Sequence, residues 1–303
     1  MSATATRSLH VAATVEDALR ELASGARAVA GGTDLVVGQR QGKGPLPERL
    51  VAIHRLEELQ VMREDEEGLR IGALVTHAQL AASPVVRSRL TALADACAIV
   101  GSHATRAFGT LGGNLMNASP AMETGGPLLC VDASVTLRSE NGTRRLSVAE
   151  LWEGPGRTSA SADELLSEVH VPLPPEGTGS AYVRLEYRRQ MEIAVVGATA
   201  VVRFEGDQLA DARMAITALS PTIVRVADAE AALVGSDGGA DAIARAAQAI
   251  AAAARPISDV RASADYRSAM AAVIGRRAIE VAVARARGQE VAVPASAAVN
   301  GAL

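Results

Sequence analysis

Apolar positions along this chain change period several times, and the changes divide it into recognisable units. Val15, Ala18, Leu19 and Leu22 recur with helical spacing, with Thr14 placed as the N-cap and Ser24-Gly25 as the stop. A short strand follows over 26–30 and runs straight into a glycine turn. Asp34 is placed to cap a helix from Leu35 to about Arg40, and Leu50 to Ile53 reads as a further strand. Helix, strand, turn, helix and strand together make a small α/β unit. Leu56–Met62 and Leu69–Ile71 then suggest a strand pair around the acidic turn Glu64–Gly68. Thr76 opens a helix, Pro84 starts the next, and Leu90–Val100 continues as a long apolar helix. The stretch from Gly101 to Asn114 is expected as a glycine-punctuated loop. Ser134–Arg138 alternates like a strand, Asn141-Gly142 is a hairpin signal with 144–148 as its return arm, and Leu165–Leu173 alternates again.

Pro172, Pro174, Pro175, Gly177 and Gly179 mark the clearest linker. Beyond it the order changes to strands first and helices after. Strands are expected over 181–187, 193–204 and 209–218, with Gly206-Asp207 turning between the last two. Helices are expected over 226–234, 240–254 and 264–287, and 291–303 reads as a loose tail. The fold class is α+β, with domains at 1–176 (lobes of about 1–57 and 58–176) and 177–290.

Two glycine turns stand out. One is Ala30-Gly31-Gly32-Thr33-Asp34-Leu35 and the other Thr110-Leu111-Gly112-Gly113-Asn114. Glycine permits close approach of a ligand to the main chain, and successive N–H groups in such turns can converge on an anion. Two turns facing each other suit the linked phosphates of a dinucleotide such as FAD. Either turn alone is equally an ordinary tight turn.

The 303 residues include 49% hydrophobic but only 2% aromatic residues, so the core must be built from Ala, Val, Leu and Ile. A net charge of -4 with interspersed basic residues argues against nucleic-acid binding. No run of about 18 apolar residues is free of charge, so no membrane span is expected, and 1–9 carries no secretory h-region. Two cysteines, Cys97 and Cys130, and five scattered histidines cannot assemble an iron–sulfur cluster within the chain. Two unpaired thiols suit a reducing cytoplasm.

The order of motifs resembles the FAD-binding medium subunits of the xanthine dehydrogenase and carbon monoxide dehydrogenase group of molybdenum hydroxylases. The matching segments are Ala30–Leu35, Gly101–Arg106 with Gly109–Asn114, and Ser119-Pro120-Ala121-Met122-Glu123. Arg188-Arg189 with Glu192-Ile193-Ala194, and Ala264–Arg267 with Arg276-Arg277-Ala278, complete the set. The resemblance spans nearly the whole chain. It implies a two-lobed FAD-binding domain of the vanillyl-alcohol oxidase and MurB type, followed by a smaller α+β domain. It implies non-covalent FAD, so the Gly101-Ser102-His103 run is not read as a covalent flavin link. The implied partners are a large subunit with a molybdopterin cofactor and a small subunit with [2Fe-2S] clusters, in a dimer of three-chain units. The implied role is electron transfer from those clusters to an external acceptor.

The resemblance also implies a cofactor-binding set: Ala30, Gly31, Gly32, Thr33, Asp34, Leu35, Thr105, Gly109, Thr110, Gly112, Gly113, Asn114, Glu123, Leu166, Arg184 and Tyr187. Gly31, Gly32, Gly112 and Gly113 are expected to give N–H groups to the pyrophosphate. Asp34, of the wrong charge for a phosphate, is expected to cap a helix. Glu123 stands where the family carries Asp for ribityl or ribose hydroxyls. Arg184 stands where relatives carry a Lys against the flavin, and a cation there stabilises the reduced ring. Tyr187 is expected to cover the ring and Leu166 to lie at its edge, whereas Met191 and Trp152 are expected to pack. No side chain is required as an acid or base for the substrate step. Two other readings of the same turns remain: a stand-alone flavin oxidase of the vanillyl-alcohol type, and a non-enzymatic phosphate-ligand binding module.

Overall fold

The computed structural model describes residues 7–42, 44–188 and 190–299. Arg189 and 300–303 of the expected motif and tail lie outside them, as does 1–6. The first lobe comprises β1 (Ser8–Val11), α1 (Val15–Ala23), β2 (Arg27–Val29), α2 (Leu35–Arg40) and β3 (Arg49–Ala52). All its pairings are parallel, in the order β1-β3-β2. Thr14 accepts a hydrogen bond from the Asp17 N–H and starts α1, whose Val15, Ala18, Leu19 and Leu22 are buried. The end of β2 therefore delivers the first glycine turn at the rim of a parallel sheet.

The second lobe begins with a 3-10 turn at Glu57–Leu59, then β4 (Met62–Asp65) and β5 (Gly68–Gly72). The strand expected across 56–62 starts only at Met62. The Leu59 carbonyl is taken by the Leu74 N–H (2.8 Å), and Leu56 and Leu59 turn into the first core. Next come α3 (His77–Ala82), α4 (Pro84–Arg89), α5 (Thr91–Ile99), α6 (His103–Phe108), α7 (Leu111–Asn117) and α8 (Gly125–Cys130). The lobe closes with β6 (Ser134–Ser139), β7 (Gly142–Ser147), α9 (Val148–Leu151), β8 (Trp152–Gly154), β9 (Arg157–Thr158) and β10 (Leu165–Val171). Its main sheet is antiparallel, in the order β4-β5-β10-β6-β7. The loop expected over 101–114 is mostly helical, because Ser102 and Thr110 each accept from the N–H three residues on and so cap α6 and α7.

The third unit is the antiparallel sheet β11 (Thr178–Leu185), β12 (Val196–Glu205), β13 (Gln208–Thr217) and β14 (Val224–Arg225). Behind it lie α10 (Ala227–Leu233), α11 (Ala240–Ala253), α12 (Ala264–Ala286) and α13 (Ala295–Val299). With so few aromatics, close approach replaces bulk. A Cβ on Gly179 of β11 would overlap the Ala282 carbonyl of α12. The tail expected to be loose is docked through α13. Ala295 is buried and gives its N–H to Asp95 (2.8 Å), and Ser296 Oγ accepts the Arg184 N–H (2.9 Å).

Asp95, on α5, joins the units. Its carboxylate is buried and accepts from the Tyr182 N–H at 3.1 Å and from Arg285 Nη1 at 2.7 Å. One side chain thus holds the second lobe, the third unit and α13 together. No helix among the described residues is long and apolar enough to cross a membrane. No group of three or more His, Cys, Asp or Glu placed to hold a metal ion occurs among them either.

Candidate functional site

The two glycine turns meet. A Cβ on Gly31 would overlap the Phe108 carbonyl oxygen and lie 3.3 Å from the Gly109 nitrogen. A Cβ on Gly109 would lie 3.6 Å from Thr33 Oγ1 and 3.3 Å from His77 Cδ2. The first turn is thereby pressed onto the α6–α7 junction, and only residues without side chains permit the approach.

The two turns use their N–H groups differently. Among the described residues, no group accepts from the N–H of Gly31, Gly32 or Thr33. Gly32 adopts φ +68, the left-handed conformation that lets consecutive N–H groups converge. In the second turn the Gly112 N–H donates to the Ala73 carbonyl (2.9 Å) and the Gly113 N–H to Thr110 Oγ1 (3.1 Å). The Leu111 and Asn114 N–H groups are also taken, by the carbonyls of Val75 and Thr110. The expectation that Gly112 and Gly113 offer free donors is therefore corrected: the start of α7 is satisfied within the chain. Gly112 is small for another reason, since a Cβ there would stand 2.7 Å from the Ala73 Cβ. Asp34 occupies the N-cap position of α2, but its side chain makes no capping bond, contrary to expectation. Ala30 and Leu35 flank the first turn, half-buried.

A second cluster lies at 123 and 184. Arg184 is fully buried, its Nη1 2.5 Å from Glu123 Oε1 and its Nε on the Glu186 carboxylate. Burial opposes the charge on Arg184, but Glu123, Tyr182 and Glu186 outweigh it and hold the guanidinium protonated. Burial pushes the Glu123 carboxyl upward, and Arg184 opposes that. The contact expected between Arg184 and a flavin ring is not on an open face: the guanidinium is sealed among carboxylates. Glu123, expected to reach ribityl hydroxyls, is turned to Arg184. Leu166 packs in the second lobe's core. Tyr187 is exposed, and its hydroxyl donates to the Arg261 carbonyl (2.7 Å). Asn114 Oδ1 accepts from Thr124 (2.6 Å). Trp152 is buried and donates to the Leu115 carbonyl, as a packing residue should, whereas Met191 is exposed at φ +52 with its sulfur 3.5 Å from Thr105 Oγ1.

Arg106 links the two clusters. It is buried on α6 and donates to the Val100 carbonyl (2.9 Å), and its charge acts on both His77 and Arg184. Thr33, Gly109 and His77 thus adjoin one another, and the Arg106 charge is felt at His77 on one side and at Arg184, with its partner Glu123, on the other. The sequence alone assigns no site role to His77, Arg106 or Glu186: His77 is only one of the scattered histidines, and Arg106 only the end of the Gly101–Arg106 segment. Thr76 was legible as a cap, and His77 follows it directly. Its placement against Gly109 depends on the pairing of 73–77 with 109–112, which no local pattern encodes. The unclaimed N–H groups of the first turn, held at the α6–α7 junction by the Gly31–Phe108 contact, fit the diphosphate of a dinucleotide.

Residues 4–174 match the family model described as the FAD binding domain in molybdopterin dehydrogenase. Residues 181–282 match the CO dehydrogenase flavoprotein C-terminal domain. The carbon monoxide dehydrogenase medium chain of Hydrogenophaga pseudoflava is 32% identical over 267 residues, covering 88% of this chain and 92% of the relative. A 6-hydroxypseudooxynicotine dehydrogenase complex subunit alpha of Paenarthrobacter nicotinovorans is 35% identical, covering 91% and 94%. The xanthine dehydrogenase FAD-binding subunit of Escherichia coli O157:H7 is 30% identical, covering 93% and 98%. Among solved structures, the Hydrogenophaga pseudoflava carbon monoxide dehydrogenase superposes with a TM-score of 0.88 at 32% identity, over 92% of this chain and 98% of that one.

Proposed function

The chain belongs to the FAD-binding subunits of the molybdenum hydroxylases, and is thus an oxidoreductase subunit, and we propose that it is the electron-transfer subunit of its complex. In this reading it receives electrons from [2Fe-2S] clusters of a small partner subunit and passes them to an external acceptor. A large partner subunit with the molybdenum cofactor oxidises the substrate. The working unit is a dimer of heterotrimers in the cytoplasm.

The observation that carries this reading is the contact of Gly31 with Phe108 and Gly109, beside N–H groups that no acceptor among the described residues takes. Gly31, Gly32 and Thr33 hold the diphosphate through backbone donors, and the Thr33 hydroxyl adds another. Ala30, Leu35, Thr105, Gly109 and Thr110 shape the cradle around it. Gly112, Gly113 and Asn114 hold the α6–α7 junction in register. Arg184, fixed by Glu123 and Glu186, keeps a buried positive charge behind the site, felt at Arg106. FAD, when bound there, supplies an isoalloxazine able to exchange electrons singly with iron–sulfur centres and in pairs with an acceptor. The chain's own part is binding, orientation and electrostatic tuning.

The test is rapid mixing of the reduced, purified complex with a quinone, NAD or oxygen, before and after flavin removal. Flavin-free complex should keep reducible iron–sulfur absorption yet lose reoxidation by the acceptor. Equal reoxidation rates with and without flavin would sink the proposal.

A further inference from the structure

We propose that His77 is a neutral hydrogen-bond donor to the diphosphate held by the first glycine turn, acting through Nε2. The inference rests on the FAD reading above and goes beyond it, to a residue outside both glycine turns.

His77 is the first residue of α3 and is 2% exposed. Its backbone N–H donates to the Gly109 carbonyl (3.0 Å), which fixes the ring against the α6–α7 junction. The ring meets Gly109 through Cδ2, the carbon bonded to Nε2, and Thr33 Oγ1 approaches the same glycine from the first turn. Nδ1 is sealed from solvent with no hydrogen-bond partner among the described residues, while Nε2 is not sealed in this way.

The two nitrogens are therefore unequal. An orphaned buried N–H is rarer in proteins than an under-used acceptor. The proton accordingly sits on Nε2, on the ring edge shared with Gly109 and Thr33, a tautomer assigned from the network. Burial, reinforced by the Arg106 charge, pushes the imidazole down to about 4, so the ring that meets an incoming diphosphate is neutral at physiological pH. A neutral donor adds a hydrogen bond to an anion without placing a second buried cation beside Arg106.

The experiment uses the full-length chain purified with its accompanying subunits and stripped of flavin. Dissociation constants for FAD and for ADP, which carries the diphosphate without the flavin, are measured for wild type, His77→Ala and His77→Gln. Gln places an amide N–H near the reach of Nε2. Loss of one donor to a charged acceptor corresponds to about ten- to a hundredfold weaker binding. The inference predicts that loss for both ligands in His77→Ala, measured where the variant is folded, with most of it recovered in His77→Gln. Wild-type affinity in His77→Ala, or equal weakening in both variants, would overturn it and leave the FAD reading standing. His77-dependent binding of ADP by a wild type that takes no FAD would uphold the diphosphate contact and overturn the FAD reading. A wild type that binds neither ligand would overturn both.

Discussion

The α-carbon of Gly31 rests against the carbonyl of Phe108, so closely that one added methyl group would overlap the oxygen. That single contact joins the parallel sheet of the first lobe to the helical junction of the second. Gly31→Ala must therefore push the turns apart, and overpacking of this kind costs about 1–3 kcal/mol. The expected outcome is a folded subunit with FAD affinity lowered at least about tenfold, read as flavin per chain after gel filtration. Full flavin content in that variant would contradict the role of the contact.

Gly112 presents the opposite case. Its N–H is bonded to the Ala73 carbonyl and its α-carbon is packed against the same residue. Gly112→Ala should act on stability first, again by about 1–3 kcal/mol, lowering the melting temperature by roughly 2–4 °C per kcal/mol. Gly113→Ala meets only Thr110 Oγ1, at 3.0 Å, and should cost less. Calorimetry of the two variants gives the comparison, and a reversed order would refute this assignment.

Arg184 and Glu123 test the buried charge. Arg184→Met leaves Glu123 and Glu186 without their cation, and breaking a buried pair costs about 3–5 kcal/mol. Burial already raises Glu123, and without Arg184 the opposing influence is gone. A carboxyl whose folded pKa is raised binds more protons folded than unfolded, so its contribution falls as pH rises. The variant's deficit should be large at pH 7 and shrink toward pH 5. Denaturant midpoints at the two values decide it, and a deficit independent of pH would show that packing, not charge, is at stake.

Asp95 is predicted to hold the C-terminal segment. Asp95→Ala removes the acceptor used by Arg285, Tyr182 and Ala295 and leaves the buried Arg285 unpaired, a loss of about 3–5 kcal/mol. Limited trypsin digestion should then release a C-terminal fragment that the wild type retains. Identical digestion patterns would mean that α13 is held without Asp95, by its apolar contacts and the bond from the Arg184 N–H to Ser296 Oγ.

Much of this architecture was legible because local chemistry and tertiary role agree. Thr14 and Thr76 cap the helices they precede, and Asn141-Gly142 and Gly206-Asp207 turn the hairpins they announce. The glycine turns were visible for the same reason. What could not be read is which N–H groups the fold consumes internally. Gly112 and Gly31 look alike in sequence, yet only Gly112 finds a carbonyl, that of Ala73, more than thirty residues away in the chain. Arg184 is expected at the flavin because relatives carry a Lys there, and no local pattern reveals that Glu123, 61 residues away, closes over it together with Glu186. The tail looked loose because its anchor, Asp95, lies in another unit.

The most direct measurement is the visible spectrum of the purified protein, repeated on the supernatant after heat denaturation, with the released chromophore identified and counted per chain. The account predicts flavin absorption that passes wholly into the supernatant as FAD, at about one per chain, and falls sharply in Gly31→Ala. Flavin that stays on the precipitated polypeptide, or a colourless wild-type complex that takes up no added FAD, would contradict it.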